Sequence, residues 1–203
     1  MPAATKIDLY KLHKAEYVTP KKPVLVRLKP AQYLAINGQG APGGERFTAA
    51  IGALYGAAFT IKMTRKFAGK QDYAVCKLEG QWFFDGDPGN LPRDQWRWKL
   101  MIRTPDFIGQ KDLKAAVAML LKKGKPREVE EVKLETIDEG QCVQMLHVGP
   151  YDREPETIVL MRAFAEQQGW RLAGPHHEIY LSDPRRVPPE RLKTILRVPA
   201  VAR

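Results

Sequence analysis

The sequence contains little cysteine and no long hydrophobic run, and both absences narrow the class of protein. Only 2 of its 203 residues are cysteines, and Cys76 and Cys142 are far apart with no Cys-x-x-Cys spacing. A disulfide framework and a cysteine metal site are therefore not expected, and both thiols should be buried and reduced. No segment approaches the roughly 20 apolar residues of a membrane helix, and the N-terminus lacks the apolar core of a signal peptide. These absences predict a cytoplasmic protein without a membrane partner.

Basic residues outnumber acidic ones, but the excess lies at the two ends of the chain. The net charge is +10, and residues 1–30 hold seven basic and two acidic side chains, while residues 184–203 hold six and one. Each end thus contributes +5, which leaves residues 31–183 with no net charge. A nucleic-acid-binding protein concentrates Lys and Arg on one face of its folded body. We therefore do not expect nucleic acid as a partner.

The composition, with 44% hydrophobic and 28% charged residues, is that of an ordinary folded protein. Residues 1–23 are expected to form a polar leader with one short helix over 6–16. Residues 24–203 form a single domain of two repeats, about 24–108 and 127–200, joined by a helix at 111–122. The glycine-rich segment 37–44 is expected to be a loop. It matches Gly-x-Gly-x-x-Gly by spacing, but Pro42 removes a backbone donor and no acidic ribose partner follows, so no dinucleotide cofactor is expected.

The two halves of the domain repeat the same order of elements. Each half runs strand, Gly/Pro loop, amphipathic helix, strand with a carboxylate, and final strand. The segment Met101-Ile102-Arg103-Thr104-Pro105 corresponds to Ile195-Leu196-Arg197-Val198-Pro199, and Glu79 corresponds to Glu178. The repeat predicts an α+β fold in which both halves bury a helix against antiparallel sheet and meet at a pseudo-twofold cleft. If the two halves pair symmetrically, Glu79 and Glu178 face the same seam, that is, the interface between the halves. The alternative is two unrelated surface glutamates.

The segment His176-His177-Glu178-Ile179-Tyr180-Leu181-Ser182-Asp183 places a carboxylate in a strand-like apolar run that a turn signal closes. Alternation in a strand puts His176, Glu178 and Tyr180 on one face. His177 and the apolar residues that alternate with them point the other way, to the expected core face. A carboxylate between an imidazole and a phenol is either a ligand site or part of a solvated surface. Adjacent histidines on opposite faces make a poor chelate, so no metal is expected.

Five short motifs are specific in combination. They are Phe47-x-x-Ala50-Ile51-x-x-Leu54-Tyr55, Leu78-Glu79-Gly80-x-Trp82, Trp96-x-Trp98-x-Leu100-Met101-Ile102-Arg103-x-Pro105, His147-Val148-Gly149-Pro150-Tyr151-Asp152-x-Glu154-Pro155 and the His176–Asp183 segment. Together they resemble GyrI-like small-molecule-binding proteins, most closely the stand-alone branch, over roughly residues 20–200. That family is built from two SHS2 modules, in agreement with the repeat.

The resemblance implies a ligand cleft between the modules, lined by aromatic side chains around a central glutamate. Glu178 occupies the position of that glutamate, which meets lipophilic cations in multidrug-binding members. Glu178 would act as the principal acid or base and Glu79 as its partner, because an aromatic pocket raises the pKa of a glutamate. The candidates for ligand binding are Tyr55, Trp82, Trp98, His147, Tyr151, His176 and Tyr180.

Several of these candidates have a structural alternative. Tyr55 and Trp98 share their faces with apolar residues and could be plain core. His147 could be a packed or surface histidine. Trp82 points opposite to Glu79 in a regular strand, so it reaches the same cleft only if a bulge forms at the intervening glycine.

Some stand-alone members are cyclopropanoid cyclopropyl hydrolases, which open the strained ring of DNA-alkylating natural products with water. The resemblance therefore implies the hydrolysis, and so the detoxification, of cyclopropane-bearing genotoxins by a monomer or homodimer without a cofactor. The alternative is a non-catalytic protein that binds drug-like or cationic molecules, as a sequestering agent or an effector sensor. No DNA-binding helix-turn-helix precedes the domain, so the regulator role of other members is not expected.

Overall fold

The computed structural model describes residues 6–84 and 91–203, and within these ranges the chain forms five α-helices and nine β-strands. The helices are α1 (Leu9–Leu12), α2 (Lys14–Tyr17), α3 (Glu45–Phe67), α4 (Gln110–Lys122) and α5 (Glu154–Gln167). The strands are β1 (Val24–Arg27), β2 (Ala31–Gln39), β3 (Leu78–Phe83), β4 (Arg97–Arg103), β5 (Lys133–Ile137), β6 (Gln141–Val148), β7 (Trp170–Leu172), β8 (His176–Tyr180) and β9 (Lys193–Ala202). The predicted α+β class is confirmed. None of the described helices combines the length and apolar character that a membrane span requires.

Eight of the described strands form one antiparallel sheet that is symmetric about its centre. The strand order is β1-β6-β9-β8-β3-β4-β2-β5, and β7 pairs with the end of β9. The central pair is β3 with β8, so that β4 and β9, then β2 and β6, occupy matching places on either side. One half supplies β2, α3, β3 and β4, and the other supplies β6, α5, β8 and β9. The first half therefore has the order strand-helix-strand-strand that the sequence led us to expect, and the second half has the same order with the short β7 added after α5.

The register of the strands corrects the correspondence between Glu79 and Glu178. The sequence match of the last strands aligns Ile102 with Leu196. Their cross-strand partners are Leu78 on β3 and Glu178 on β8. Leu78 is therefore the counterpart of Glu178. The difference of one residue matters because successive side chains of a strand point to opposite faces, and it puts Glu79 on the face away from Glu178.

The two long helices of the repeats cover one face of the sheet. On the side of the first half, Leu34, Ile36 and Leu100 of the sheet pack with Leu54 and Ile61 of α3. A second cluster on the other half contains Val143, Met145, Leu196, Met161 and Ala165, the last two from α5. The helix expected at 111–122 is observed as α4, which packs against α3. Each half thus buries its own helix against the sheet.

The opposite face of the sheet is covered by the segment that the sequence suggested as a polar leader. Two short helices replace the single expected one, and the Asp8 carboxylate caps α1. Leu9 and Tyr17 are buried, and the Pro20 carbonyl accepts a hydrogen bond from the N–H of Leu146 on β6. The chain from α1 to β1 is therefore packed against the domain.

A close approach between β2 and β4 explains a glycine in the segment that was expected to be a loop. Gly38 lies opposite Trp98 in the paired strands, and a Cβ on Gly38 would come within 2.1 Å of the indole ring. The Trp98 Nε1 donates a hydrogen bond to the Gly40 carbonyl at 3.2 Å. β2 therefore continues to Gln39, beyond the point at which glycine content predicted its end.

Gly38→Ala should destabilise the fold, because the added methyl group overlaps the Trp98 ring. We expect the free energy of unfolding to fall by about 1–3 kcal/mol, the usual cost of overpacking. Gly52→Ala is the matched control: Gly52 lies on α3 with nothing within 4 Å of a Cβ, so this change should be neutral or stabilise by about 0.5–1 kcal/mol. Urea unfolding of both variants measures the difference, and equal effects would contradict the proposed contact.

Candidate functional site

A large open cleft lies above the junction of β3 and β8 on the helix-covered face of the sheet. Its volume is about 2240 Å³. Phe47, Ile51 and Tyr55 of α3 line one side, Ile158 of α5 lines the other, and the central strands lie between them. Pockets for a drug-sized ligand usually measure about 300–1,000 Å³. The cleft therefore has room for a molecule of several fused rings.

Aromatic rings form the side of the cleft that belongs to the first half. Trp82 stacks on Phe47 with ring centroids 5.7 Å apart and meets the edge of Trp96 at 5.8 Å. Trp96 in turn meets Phe84 at 5.1 Å. Such stacked and edge-to-face contacts hold the rings in place. The result is a wall of apolar ring faces beside the central strands.

Trp82 lines the cleft without the strand bulge that the sequence analysis made a condition for it. β3 pairs with β4 continuously over Leu78–Phe83, and Trp82 lies opposite His176, on the cleft face. The expected bulge at Gly80 is therefore wrong. Gly80 instead leaves room for the hydroxyl group of Tyr180, which would lie 3.0 Å from a Cβ at this position.

Trp98 belongs to the hydrophobic core, whereas Tyr55 lines the cleft. The Trp98 side chain is 1% exposed, and its ring meets the edge of Phe47 at 5.3 Å. Tyr55 is half-buried and borders the cleft from α3. Trp96, which the sequence analysis did not select, borders the cleft where Trp98 had been expected.

Three ionisable side chains, which we name the floor cluster, meet at the bottom of the cleft. The Nε2 of His176 lies 3.2 Å from Oε1 of Glu178 and 3.7 Å from Oε2 of Glu154. Two of the residues come from alternate positions of β8, and Glu154 is the first residue of α5. Glu154 and Glu178 are only 5% and 8% exposed. Two carboxyl groups and an imidazole therefore share one nearly dry site.

The floor cluster holds protons more tightly than free side chains do. Burial and then the charge of Glu178 raise the pKa of Glu154 to about 8. Burial alone would lower the pKa of His176, but hydrogen bonds and charges from the two carboxyl groups outweigh it and raise this pKa to about 9. At neutral pH the imidazole is therefore positively charged and Glu154 carries a proton.

Two tyrosines stand beside the floor cluster. The rings of Tyr151 and Tyr180 meet edge to face at 6.0 Å. Burial and then Glu178 raise the pKa of Tyr180 well above its usual value, and burial and then Glu154 raise the pKa of Tyr151 to about 12. Both phenols thus stay protonated at neutral pH and can donate hydrogen bonds to a ligand.

The floor cluster also has the spacing of a chelating group, with one donor atom of each residue within 4.8 Å of the others. The two adjacent histidines of the sequence do not predict this arrangement, because Glu154 lies far from them in the chain. His176 is engaged as the cationic partner of both carboxyl groups, so a shared proton accounts for the short distances. The absence of a metal or cofactor stays a prediction.

Glu79 lies on the opposite face of the sheet and does not reach the cleft. The Nε2 of His177 lies 3.1 Å from Oε2 of Glu79, and its Nδ1 lies 2.9 Å from Oε1 of Glu139. The Tyr17 hydroxyl donates to Glu79 at 3.2 Å. The expectation that Glu79 and Glu178 face the same seam is therefore wrong, and the presumed core face of β8 carries a buried ion pair.

Arginines complete this buried network and tie the N-terminal segment to the sheet. Arg197 donates to the Glu139 carboxylate at 3.3 Å and to the backbone carbonyl of Glu16 at 2.7 Å. Arg103 pairs with the Glu16 carboxylate at 2.6 Å. The network contains three carboxylates and three cations: Glu16, Glu79, Glu139, Arg103, His177 and Arg197. Balanced pairing of this kind is what makes the burial of charge tolerable.

His147 lies outside the cleft and joins two elements. Its Nδ1 is 2.8 Å from the Thr157 hydroxyl, and its Nε2 is 3.1 Å from the Pro150 carbonyl oxygen. The carbonyl can only accept, so Nε2 carries the proton that it donates, and Nδ1 accepts from the hydroxyl when the ring is neutral. His147 thus connects the end of β6 to the first turns of α5, the helix on which Glu154 lies.

Glu154 is the principal residue of the cleft that the sequence analysis missed. The available signal was a carboxylate directly before Pro155, a residue typical of a helix start, within a motif that had already been noted. That signal does not show where the helix start lies in space. Only the packing of α5 over the second half brings Glu154 to His176 and Glu178.

Comparison with known proteins agrees with this architecture. Residues 21–201 match the family model of the GyrI-like small molecule binding domain. The chain belongs to this family. Its structure superposes on an uncharacterized conserved protein from Listeria innocua with a TM-score of 0.91 and 40% sequence identity, covering 97% of this chain and 100% of that one.

A second structure from Listeria innocua is described as a hydrolase. It has a TM-score of 0.90 and 38% identity to the present GyrI-like chain, and covers 97% of this chain and 100% of its own. The C-terminal domain of EcmrR shares the fold at 11% identity, with a TM-score of 0.58 and coverage of 90% and 98%. No curated protein gives a significant match. The family supports a small molecule as the ligand.

Single replacements of Trp96 and Trp98 should show which tryptophan belongs to the cleft and which to the core. Trp98→Ala removes a fully buried ring and should lower the free energy of unfolding by about 3–5 kcal/mol. Trp96→Ala removes a half-buried ring of the cleft wall and should instead weaken the binding of an aromatic probe by about 0.5–1.5 kcal/mol. Urea unfolding and fluorescence titration with acridine measure the two effects. Equal losses of stability would contradict the assignment.

Stability should depend on the protonation of His177. Burial alone would lower its pKa, but Glu139 and Glu79 raise it from the usual 6.5 to about 9. A raised pKa stabilises the fold fully below the unfolded value and ceases to do so as pH rises through the folded value. The stability difference between wild type and His177→Gln should therefore be largest below about pH 6.5 and should shrink towards pH 9.

Urea unfolding of both proteins at a series of pH values tests this expectation. His13→Gln is the control, because His13 has a 39% exposed side chain and forms its ion pair with Glu16 at the surface. Its difference from wild type should be small and nearly constant with pH. A His177→Gln difference that does not change between neutral and alkaline pH would refute the role assigned to the imidazolium.

Proposed function

We propose that the cleft binds flat, lipophilic aromatic molecules and hydrolyses those that carry an activated cyclopropane ring. The observation that carries the proposal is the floor cluster, in which a proton-holding carboxyl group, an imidazole and a second carboxyl group lie buried beneath an aromatic wall. Its groups are those that proton transfer during the addition of water requires. The 38% identity to a protein described as a hydrolase supports an enzyme.

The aromatic wall suits a planar substrate. The half-buried ring of Trp96 provides a stacking surface, and Trp82, which is only 3% exposed, supports it through an edge-to-face contact. Each aromatic pair contributes about 0.5–1.5 kcal/mol beyond the burial of its area. The phenols of Tyr151 and Tyr180 can donate hydrogen bonds to polar substituents. Apolar contact thus supplies affinity, and the floor cluster fixes which part of the molecule lies deepest.

In the proposed reaction Glu178 acts as the base. It accepts a proton from a water molecule as the water oxygen forms a bond to a ring carbon and a carbon–carbon bond of the cyclopropane breaks. The electron pair of the broken bond moves into the conjugated carbonyl group of the substrate. The oxygen of that group takes a proton from solvent in the open cleft. One water molecule has then been added, and Glu178 returns its proton to solvent when the product leaves.

Glu154 replaces Glu79 as the partner of Glu178 in this scheme. The donor atoms of the floor cluster all lie within 4.8 Å of one another, so they act on one end of the substrate, the end that the water attacks. Protonated Glu154 adds no second negative charge beside Glu178, and His176 holds both carboxyl groups in position. Glu79 is separated from the cleft by the sheet.

Turnover of a cyclopropane-bearing duocarmycin-type compound tests the proposal. Ring opening is followed by the loss of the dienone absorption and by the gain in mass of one water. We expect wild type to convert the compound and Glu178→Gln to be slower by about 10²–10⁴-fold, the usual contribution of a general base.

Glu156→Gln is the matched control for this experiment. Glu156 is an exposed carboxylate on α5 that pairs with Arg153 at 2.9 Å and is not among the described residues that line the cleft, so its variant should react at the wild-type rate. Conversion by Glu178→Gln at the wild-type rate would refute the assigned base. If wild type converts nothing yet binds the compound with quenching of tryptophan fluorescence, the alternative function, non-catalytic binding, replaces hydrolysis.

A further inference from the structure

A positive group lies between the two carboxyl groups at the bottom of the cleft. The Nε2 of His176 is within ion-pair distance of both Glu178, at 3.2 Å, and Glu154, at 3.7 Å. Two phenols also line the cleft near this group. They belong to Tyr180 on β8 and to Tyr151 on the turn before α5. Two buried carboxyl groups whose oxygens lie within 4.8 Å of each other oppose each other's ionisation, because like charges repel in a site shielded from water. With one proton on Glu154 and a positive charge on the imidazole, the floor cluster carries no net charge at neutral pH.

The other charged residues of the cleft do not change this balance at its floor. Asp183 is paired with Arg185 at 3.0 Å. The Lys77 ammonium donates to the Leu181 carbonyl. Exposed charged residues at the rim are Arg93, Arg97, Asp152 and Arg162. The charge that a ligand meets at the bottom is therefore set by the floor cluster itself.

One polar atom of the floor cluster is left for a ligand. The Oε1 of Glu154 is buried and has no hydrogen-bond partner among the residues that the structure describes. An unpartnered buried oxygen is unfavourable, because it has given up its hydrogen bonds to water without replacing them. A hydroxyl or carbonyl group of an uncharged ligand can satisfy the carboxyl group of Glu154 and leave the balance of charge intact.

We propose that His176 makes the cleft selective for uncharged aromatic ligands over cationic ligands of the same shape. This selectivity rests on the proposed function, since it assumes that the cleft is the ligand site. A univalent cation at the floor would be repelled by the imidazolium as strongly as it is attracted by Glu178. The two energies are of equal size and opposite sign when the charges lie at equal distances. The floor cluster would therefore give the cation no net attraction in exchange for its lost hydration, whereas an uncharged ring system loses little hydration.

The selectivity can be measured with two probes of nearly identical shape. Acridine is uncharged at neutral pH, and N-methylacridinium carries a permanent positive charge on the same three rings. Quenching of tryptophan fluorescence gives the dissociation constant of each. We expect wild type to bind acridine about tenfold more tightly than N-methylacridinium. His176→Gln removes the positive charge and should shift the ratio of the two constants by about tenfold or more in favour of the cation.

Two further variants control the experiment. His176→Lys keeps a positive charge at the floor and should keep the wild-type preference, and His13→Gln removes a histidine far from the cleft and should not alter it. Circular dichroism shows whether each variant folds. If His176→Gln does not fold, the wild-type ratio and the His176→Lys ratio still decide the matter.

Three results would overturn the proposal: equal or tighter binding of N-methylacridinium by wild type, an unchanged ratio in folded His176→Gln, or no binding of either probe. None of these measurements depends on turnover. A protein that fails to open a cyclopropane ring but prefers acridine refutes the hydrolysis and leaves the selectivity intact. A protein that opens the ring but does not prefer acridine supports the hydrolysis and refutes the selectivity.

Discussion

The pairing of β3 with β8 is the contact on which the rest of the structure depends. These two strands join the halves of the molecule at the centre of the sheet, and their register places Gly80 opposite Glu178 and Trp82 opposite His176. One face of the pair is therefore the floor of the cleft. A shift by a single residue would exchange the two faces, because side chains alternate along a strand, and would turn the floor cluster away from the aromatic wall.

The buried network behind the cleft makes such a shift costly. His177 pairs with Glu79 and Glu139 on the face opposite the cleft. Arg197 links the Glu139 carboxylate to the N-terminal segment. An ion pair in a dry interior adds little net stability, but one that loses its partner is strongly destabilising. A network of this kind therefore penalises wrong registers more than it strengthens the right one. It also explains why the N-terminal segment is packed against the sheet.

His176 and His177, which are neighbours on β8, thus serve different purposes although each is an imidazole paired with carboxyl groups. His177 is surrounded by carboxylates that are themselves paired, so its proton is a structural element. His176 lies at an open cleft beside Glu154, which has an unpartnered buried oxygen and a pKa raised to about 8 by burial and then by Glu178. Its proton is exposed to whatever enters the cleft. The difference arises from what covers each face: the N-terminal helices on one side, and the space between α3 and α5 on the other.

The sequence by itself determined the α+β class, the order of elements in each half and the family, because these follow from periodicity, turn residues and local motifs. It also placed Glu178, His176 and Tyr180 on one face of β8, because side chains alternate along a strand. Trp82 lies on that same face without a bulge because Glu79 lies on the other one. Tertiary structure decided the rest. Glu154, and not Glu79, lies beside Glu178, because strand register and the packing of α5 depend on contacts between segments far apart in the chain. Trp98 lies in the core because β2 approaches it at Gly38, a fit that no pattern within either strand reveals.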